Sequence, residues 1–381
     1  MRRGVAIGLG AVLLAGCGGS NVPPQDATLH VTPPSALVDV PAEIDVAGLK
    51  GGDRVVVTGT ATDVRGATWT GTESARADGR GDARLDGGML LALMHARGAR
   101  AISYLDPDGV TRVRLSATVG GQRVAGGAIA RTIVAPGVRV RDLTVAHDGL
   151  AGDFFTSPGA RGAPIVAIGG SDGLAPTLPA ALLAAHGHPA LSLSYFRAPG
   201  LPREMVRIPL EYFQRALRWV AARTGAQRVG LVGVSRGGEG VLIIGSRYPR
   251  LVAGVAALVP GSQYAPSPSR RNVPAWTIGG RPLPLYQPIP VERIRGPVLT
   301  ASAGRDAVWP SSEYATEIQA RLERSRFAHP DLRYPGAGHG IGLAVPYLPS
   351  PDPAQAGGTA AADAAARAAL WPRLLEFLDE L

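Results

Sequence analysis

Three residue types are scarce in this sequence, and each scarcity removes a class of function. Cys17 is the only cysteine in 381 residues, which leaves the folded part without an internal disulfide, a cysteine-ligated metal site or a cysteine nucleophile. Lysine is nearly missing as well: Lys50 stands alone, and the other basic side chains are arginines scattered singly along the chain. The formal charge of +9 therefore includes no dense basic tract of the kind that binds a phosphate backbone. Aromatic residues make up 5% of the chain, too few to build stacking platforms for bases, so nucleic acid is not expected as a partner.

Glycine and proline, by contrast, are abundant, at 51 and 33 residues, and the N-terminus has its own grammar. Arg2 and Arg3 precede the apolar run Val5 to Leu14, which ends in Leu14-Ala15-Gly16-Cys17. Basic, apolar and small-residue regions in that order describe an export signal over residues 1–20, with an apolar run too short to span a bilayer. Leu-Ala-Gly-Cys resembles the lipobox of bacterial lipoproteins, which implies a mature chain that starts at Cys17 and is lipid-anchored outside the cytoplasm, at the cell envelope. Residues 21–26 read as a polar tether.

From Ala27 to Val145 the pattern is all-β. Short strands are expected at Leu29–Val31, Ala42–Val46, Arg54–Thr60, Ala67–Gly71, Ala101–Leu105, Val110–Val119, Ala128–Val134 and Val138–Val145, with a short helix within Asp86–His95. Turn signals at Gly51-Gly52-Asp53, Pro107-Asp108-Gly109 and Gly120-Gly121 separate them, a spacing that points to an immunoglobulin-like β-sandwich over 27–145. Residues 146–381 instead alternate strand and helix, the pattern of a mainly parallel sheet covered on both faces. Strands are expected at Ile165–Ile168, Ala190–Tyr195, Val229–Gly233, Val252–Val259, Val298–Ala303 and Leu332–Tyr334. Helices are expected at Pro176–His186, Ile208–Thr224, Glu239–Tyr248, Ser312–Ser325 and Ala361–Leu381. Residues 261–290, rich in Pro, Ser and Arg, interrupt this rhythm and read as an inserted lid.

The chemistry concentrates in Gly233-Val234-Ser235-Arg236-Gly237. This G-x-S-x-G joins a buried strand to a helix, as in the nucleophile elbow of an α/β hydrolase, where flanking glycines let a strained serine stand at the sheet edge. A second match, Gly169-Gly170-Ser171-Asp172-Gly173, comes before enough strand and helix units exist to build a sheet around it. It reads better as an oxyanion loop, with Gly170 and Ser171 beside the backbone amide of Arg236 as donors to a developing negative charge.

A serine hydroxyl needs a base, and the base needs an acid to hold its tautomer, both of them downstream of Ser235 in this fold. Of the two downstream histidines, His339 lies in a glycine-rich loop after the last expected strand, whereas His329 precedes that strand and falls at its wrong end. Asp306 follows the strand ending at Ala303, at the same edge; it could instead cap the next helix, although Ser311 and Ser312 suit that job. Glu292 and Asp331 precede strands. His186 and His188 read as helix-end cations, Glu239 as an anion at a helix N-terminus, and Arg197, Arg203 and Arg207 as solvated side chains.

Taken together, these residues resemble the acyl-CoA thioester hydrolases and the related bile acid-CoA:amino acid N-acyltransferases. The resemblance runs from about Ala27 to Leu381. It is carried by Ser235-Arg236-Gly237-Gly238-Glu239, Leu193-Ser194-Tyr195 ahead of Leu201-Pro202, Leu210-Glu211-Tyr212-Phe213, Ile289-Pro290-Val291-Glu292, Asp306 with Trp309, and Tyr334 to His339 with Pro346-Tyr347. It implies an immunoglobulin-like N-terminal domain, an α/β-hydrolase C-terminal domain, and nucleophile, acid and base on Ser235, Asp306 and His339; no metal or organic cofactor is expected. The family commonly has lysine where Arg236 stands. The export signal also sits oddly with acyl-CoA, a cytoplasmic metabolite. The expected substrate is thus an acyl thioester or ester, with a carboxylic-ester hydrolase, an acyltransferase to another acceptor, or an inactive surface-binding lipoprotein as the other readings.

Overall fold

The computed structural model describes residues 27–96, 105–106 and 109–381. The export signal, Cys17, the tether, nearly all of the strand expected at 101–105 and most of the turn at 107–109 lie outside the described residues.

The N-terminal part comprises β1 (Thr28–Thr32), β2 (Ser35–Leu37), β3 (Glu43–Ala47), β4 (Arg54–Thr62), β5 (Thr68–Arg76), β6 (Ala83–Asp86), α1 (Gly87–Ala92), β7 (Thr111–Val119) and β8 (Gln122–Thr132). Two sheets form, in the orders β1-β3-β6 and β2-β8-β7-β4-β5. In β4 the alternation of apolar and polar residues sends Val55, Val57 and Ala61 inward, the period-two signature of a half-buried strand. Gly59 and Gly71 face each other across β4 and β5. A Cβ on Gly59 would come within 2.6 Å of Leu90, and one on Gly71 within 2.7 Å of the Leu90 carbonyl. The glycine pair is therefore the hollow into which α1 packs, and the Asp86 side chain caps that helix by accepting from Met89 N–H at 2.8 Å.

The remainder contains β9 (Arg139–Leu143), α2 (Val145–Asp148), β10 (Ala151–Thr156), β11 (Ile165–Ile168), α3 (Thr177–Ala185), β12 (Ala190–Ser194), β13 (Ile208–Pro209), α4 (Leu210–Thr224), β14 (Val229–Val234) and α5 (Arg236–Arg247). It continues with β15 (Val252–Leu258), β16 (Trp276–Ile278), β17 (Arg281–Pro282), β18 (Val298–Ala303), α6 (Ser311–Leu322), β19 (Asp331–Tyr334), α7 (Pro353–Ala356) and α8 (Ala360–Asp379). Eight strands form one sheet in the order β19-β18-β15-β14-β11-β12-β10-β9. All neighbours pair in parallel except β10 with β12 and with β9.

Strand β9 corrects a boundary: the segment expected at Val138–Val145 as the last strand of the β part is the edge strand of the large sheet. Its residues are mostly exposed, so its composition resembles that of an edge strand of either part, and only its pairing with β10 decides. Strand β10, which sequence patterning did not single out, supplies that pairing.

The central strands β11 and β15 are buried along their whole length, as expected where helices cover both faces. Ile165 and Ala167 point to the side of α3 and α8, with Leu182, Trp371 and Leu374. Val166 and Ile168 point to the side of α4, α5 and α6, with Phe213, Ile243 and Ile318. The first of these cores runs on into the β part through Ile44, Val55 and Leu90. Asp39 reinforces the junction by accepting from Trp371 Nε1 at 2.9 Å and pairing with His186 Nε2 at 2.6 Å. An eight-stranded, mainly parallel sheet with an antiparallel edge pair and helices on both faces is the arrangement of an α/β hydrolase.

Candidate active site

In such a sheet, ligands bind outside the carboxyl ends of the strands where the strand order reverses. Here that point lies between β11, whose chain continues to β12 on one side, and β14 on the other. The two G-x-S-x-G segments leave these two neighbouring strands, at Ile168 and Gly233, which are paired in register.

Ser235 has φ 56° and ψ −118°, a conformation that non-glycine residues adopt only where the surroundings enforce it. The enforcement is visible. Ser235 N–H donates to Leu258 O at 2.8 Å, and Glu239 N–H donates to Ser235 O at 3.0 Å as α5 begins. A Cβ on Gly233 would lie 2.3 Å from the Gly237 carbonyl oxygen, and one on Gly237 would lie 2.4 Å from those of Ile168 and Gly169. Only glycine lets strand, turn and helix approach this closely.

The Gly169–Gly173 loop lies against this turn. A Cβ on Gly170 would be 3.6 Å from Ser235 Cβ and 3.9 Å from its Oγ. Tyr195, at the end of β12, holds the loop from below: its hydroxyl is 3.1 Å from the carbonyl oxygens of both Gly169 and Gly170. Burial pushes that hydroxyl well above the ordinary tyrosine range, so it acts as a neutral donor. With the carbonyls occupied underneath, the peptide units of the loop are oriented beside the serine. Arg197 adds a bond from its guanidinium to Asp172 O at 2.6 Å, so this arginine belongs to the loop and is not merely solvated.

His339 begins a short 3-10 turn (His339–Leu343) after β19, and its Nδ1 is 2.7 Å from Asp306 Oδ2. The Asp306 carboxyl is almost wholly buried, with a side-chain exposure of 1%. Its second oxygen accepts from Val308 N–H at 2.9 Å and Trp309 N–H at 3.2 Å, so the carboxylate organises its own turn as well as facing the imidazole. Helix α6 takes no side-chain cap from it. Trp309 stands edge-on to His339, with centroids 6.0 Å apart, and donates from Nε1 to Val259 O. Beneath the histidine, Asp363 of α8 accepts from Gly338 N–H at 2.7 Å, and burial raises this carboxyl above its usual range. Sequence patterning offered no sign of Asp363, which looks like any polar residue near a helix start.

A pocket of about 270 Å3 gathers Gly170, Ser171, Ser235 and His339 in its lining. Arg236 does not turn its side chain into that pocket. It is buried, donates to the carbonyls of Ala265 and Pro266 at 3.1 and 3.0 Å, and pairs with Glu239. Glu239, completely buried, accepts from Trp276 Nε1 at 2.9 Å and Ala265 N–H at 3.1 Å. Burial pushes the Glu239 carboxyl up to about 7 against the pull of Arg236. Glu239 does lie in the first turn of α5, as expected, and its burial makes it an internal acceptor as well.

The lid anticipated for 261–290 is corrected too. None of its described residues lines the Ser235 pocket. Trp276 is buried against Tyr195 and Phe213, and β16 pairs with β13 and β17. His329 Nδ1 is 2.9 Å from Gln319 Oε1, and His329 does not line the Ser235 pocket. His188 is buried and bonds to Ala163 O and Asp379, so neither it nor the Asp39-bound His186 is a simple helix-end cation.

Comparison with known proteins gives a consistent result. The sequence signature described as "BAAT / Acyl-CoA thioester hydrolase C terminal" matches residues 208–268 and 284–381. The peroxisomal succinyl-coenzyme A thioesterase of Mus musculus is 27% identical over 374 residues, covering 85% of this chain and 87% of that protein. Acyl-coenzyme A thioesterase 3 of the same organism is 31% identical over 265 residues, covering 60% and 59%. Among solved structures, a dienelactone hydrolase-like promiscuous phosphotriesterase from metagenomic libraries is similar over 64% of this chain and 98% of its own, with 17% identity and a TM-score of 0.43. The signature and the relatives that match most of the chain support the BAAT / acyl-CoA thioester hydrolase family, and the chain is an enzyme of the hydrolase class.

Proposed function

We propose that the chain is a serine acyl hydrolase that cleaves acyl thioesters through a covalent acyl-enzyme. The observation that carries this reading is the 2.7 Å contact of Asp306 with Nδ1 of His339, which lines the same pocket as the strained Ser235. With Nδ1 committed to the carboxylate, the imidazole has Nε2 free for chemistry. In the proposed reaction His339 takes the Ser235 proton as Oγ attacks the acyl carbonyl, and the tetrahedral oxyanion is held by backbone amides of Arg236 and of the Gly170–Ser171 segment. The carbon–sulfur bond then breaks and the imidazolium gives its proton to the leaving thiolate. Water, deprotonated by His339, releases the acid and restores Ser235.

Two further readings accompany this one. The β part is proposed to be an immunoglobulin-like domain, supported by its two packed sheets. Cys17 is proposed to carry a lipid anchor at the cell envelope, supported by the order of residues 1–17. That same N-terminus favours a second substrate reading, an exported carboxylic-ester hydrolase acting where coenzyme A is scarce. Purified protein assayed against acyl-CoA and p-nitrophenyl ester panels separates the two: a kcat/KM preference for acyl-CoA supports the thioesterase, and ester turnover without thioester turnover supports the alternative. Absence of turnover on both, from folded protein, would leave an inactive binding lipoprotein.

A further inference from the structure

Beside the Ser235 pocket lies a second, smaller space of about 20 Å3. Its floor is Trp371 and Leu374 of α8, and Pro179 and Leu183 of α3 form one wall. Val234 and Leu343 line both spaces, so they are the partition between the serine pocket and the slot. The slot is apolar, and a polar group entering it would lose its water without finding a partner. About 20 Å3 holds little more than one water-sized group. The slot thus suits the tip of an apolar chain that is already seated on the other side of the partition.

Leu343 is the accessible half of that partition. Gly342 before it packs so closely on Val234 that a Cβ there would come within 2.3 Å of Val234 Cγ2, whereas Leu343 remains 36% exposed. Leu343 is also not alone at the mouth. Val308, after β18, lines the same pocket and is 55% exposed. These are two of the seven large apolar side chains exposed among the described residues. Clustered exposed apolar side chains mark the place where an apolar partner lies, and here both stand at the serine pocket.

We propose that this slot receives the end of the substrate's acyl chain and that Leu343 sets how long a chain the enzyme accepts. The proposal rests on the acyl-hydrolase reading above and adds to it the residue that limits chain length: an apolar acyl group is laid past Val308 with its tip against Leu343. Each methylene that gains a buried place raises kcat/KM about four-fold, and the gain stops where the slot is full.

The experiment measures kcat/KM on p-nitrophenyl esters from acetyl to palmitoyl for the full chain, Leu343→Ala and Pro179→Phe. Leu343→Ala removes about three carbons from the partition, so the break in the chain-length profile should move outward and the ratio of long-chain to short-chain kcat/KM should rise on the order of ten-fold or more. Pro179→Phe fills the slot from the opposite wall and should lower that ratio. Opposite movements from two independent walls are not the signature of a generally damaged fold. Turnover with the same profile in all three proteins overturns the slot while leaving the hydrolase reading intact. A wild-type protein that cleaves no ester or acyl-CoA of any length overturns the hydrolase reading, and the slot with it.

Discussion

Replacing Glu239 by Gln tests how the nucleophile helix is held to the segment 261–290. In the native protein the fully buried carboxyl is carried from its ordinary 4.5 to about 7, first by desolvation, with Arg236, the Trp276 indole and the Ala265 amide pulling the other way. Because the folded value lies above the unfolded one, the native state holds a proton that the unfolded chain has released between about pH 4.5 and 7. The associated stability is present at lower pH and is lost as pH rises through 7. At about 1.4 kcal/mol for each unit of that window, the loss between pH 5 and 8 comes to about 2 to 3 kcal/mol. Gln keeps an oxygen for Trp276 Nε1 and Ala265 N–H but has no proton to exchange. The variant leaves the buried Arg236 without a counter-charge at every pH, as the native protein does only below about pH 7, and its pH slope should be flatter by the amount just given. Urea unfolding followed by tryptophan fluorescence at steps from pH 5 to 8 measures this. His186 also loses stabilisation as pH rises, because its pairing with Asp39 raises its own value. The quantity to read is therefore the difference between the two proteins. Parallel pH curves for wild type and Glu239→Gln would refute the reasoning.

Three other experiments have defined outcomes. Ser235→Ala and His339→Ala should each remove most of the turnover, with the double variant hardly worse than either, and Asp306→Asn should cost on the order of 10⁴-fold; steady-state kinetics on one ester checks all four. Tyr195→Phe removes the hydroxyl from the carbonyls of Gly169 and Gly170 and should lower kcat by about ten-fold or more with little change in KM, since misaligned oxyanion donors weaken the transition state and not the ground state. Membrane fractionation with mass spectrometry of the mature N-terminus should find a lipid-modified Cys17; an intact Met1 on unanchored protein would rule out the anchor and favour acyl-CoA as substrate.

The readable parts of this molecule were those in which one backbone constraint demands one residue type. Gly233 and Gly237 flank Ser235 because any Cβ would strike a carbonyl, so the turn could be located from composition alone. Asp306 and His339 each follow a strand with a recognisable apolar run, and strand ends in a parallel sheet share an edge. What escaped was set by contacts remote in sequence. Asp39 meets His186 across 147 positions and Trp371 across 332, and no local pattern announces either pair. Glu239 looks like a helix-start anion until Trp276, 37 residues later, is seen to bury it. The segment 261–290 has the composition of a surface insertion, yet one tryptophan stacked on Tyr195 pins it under the site. Strand β9 could not be assigned to its sheet because an exposed edge strand carries no apolar face to reveal its partner.

In the proposed reaction Ser235 is the nucleophile, and the second G-x-S-x-G serine, Ser171, lies in a supporting loop. Treating the full chain with a serine-directed alkyl phosphonate and mapping the adduct by peptide mass spectrometry separates them. The account predicts a single adduct on Ser235, lost in Ser235→Ala and in His339→Ala and retained in Ser171→Ala. An adduct on Ser171 that persists in Ser235→Ala would contradict it.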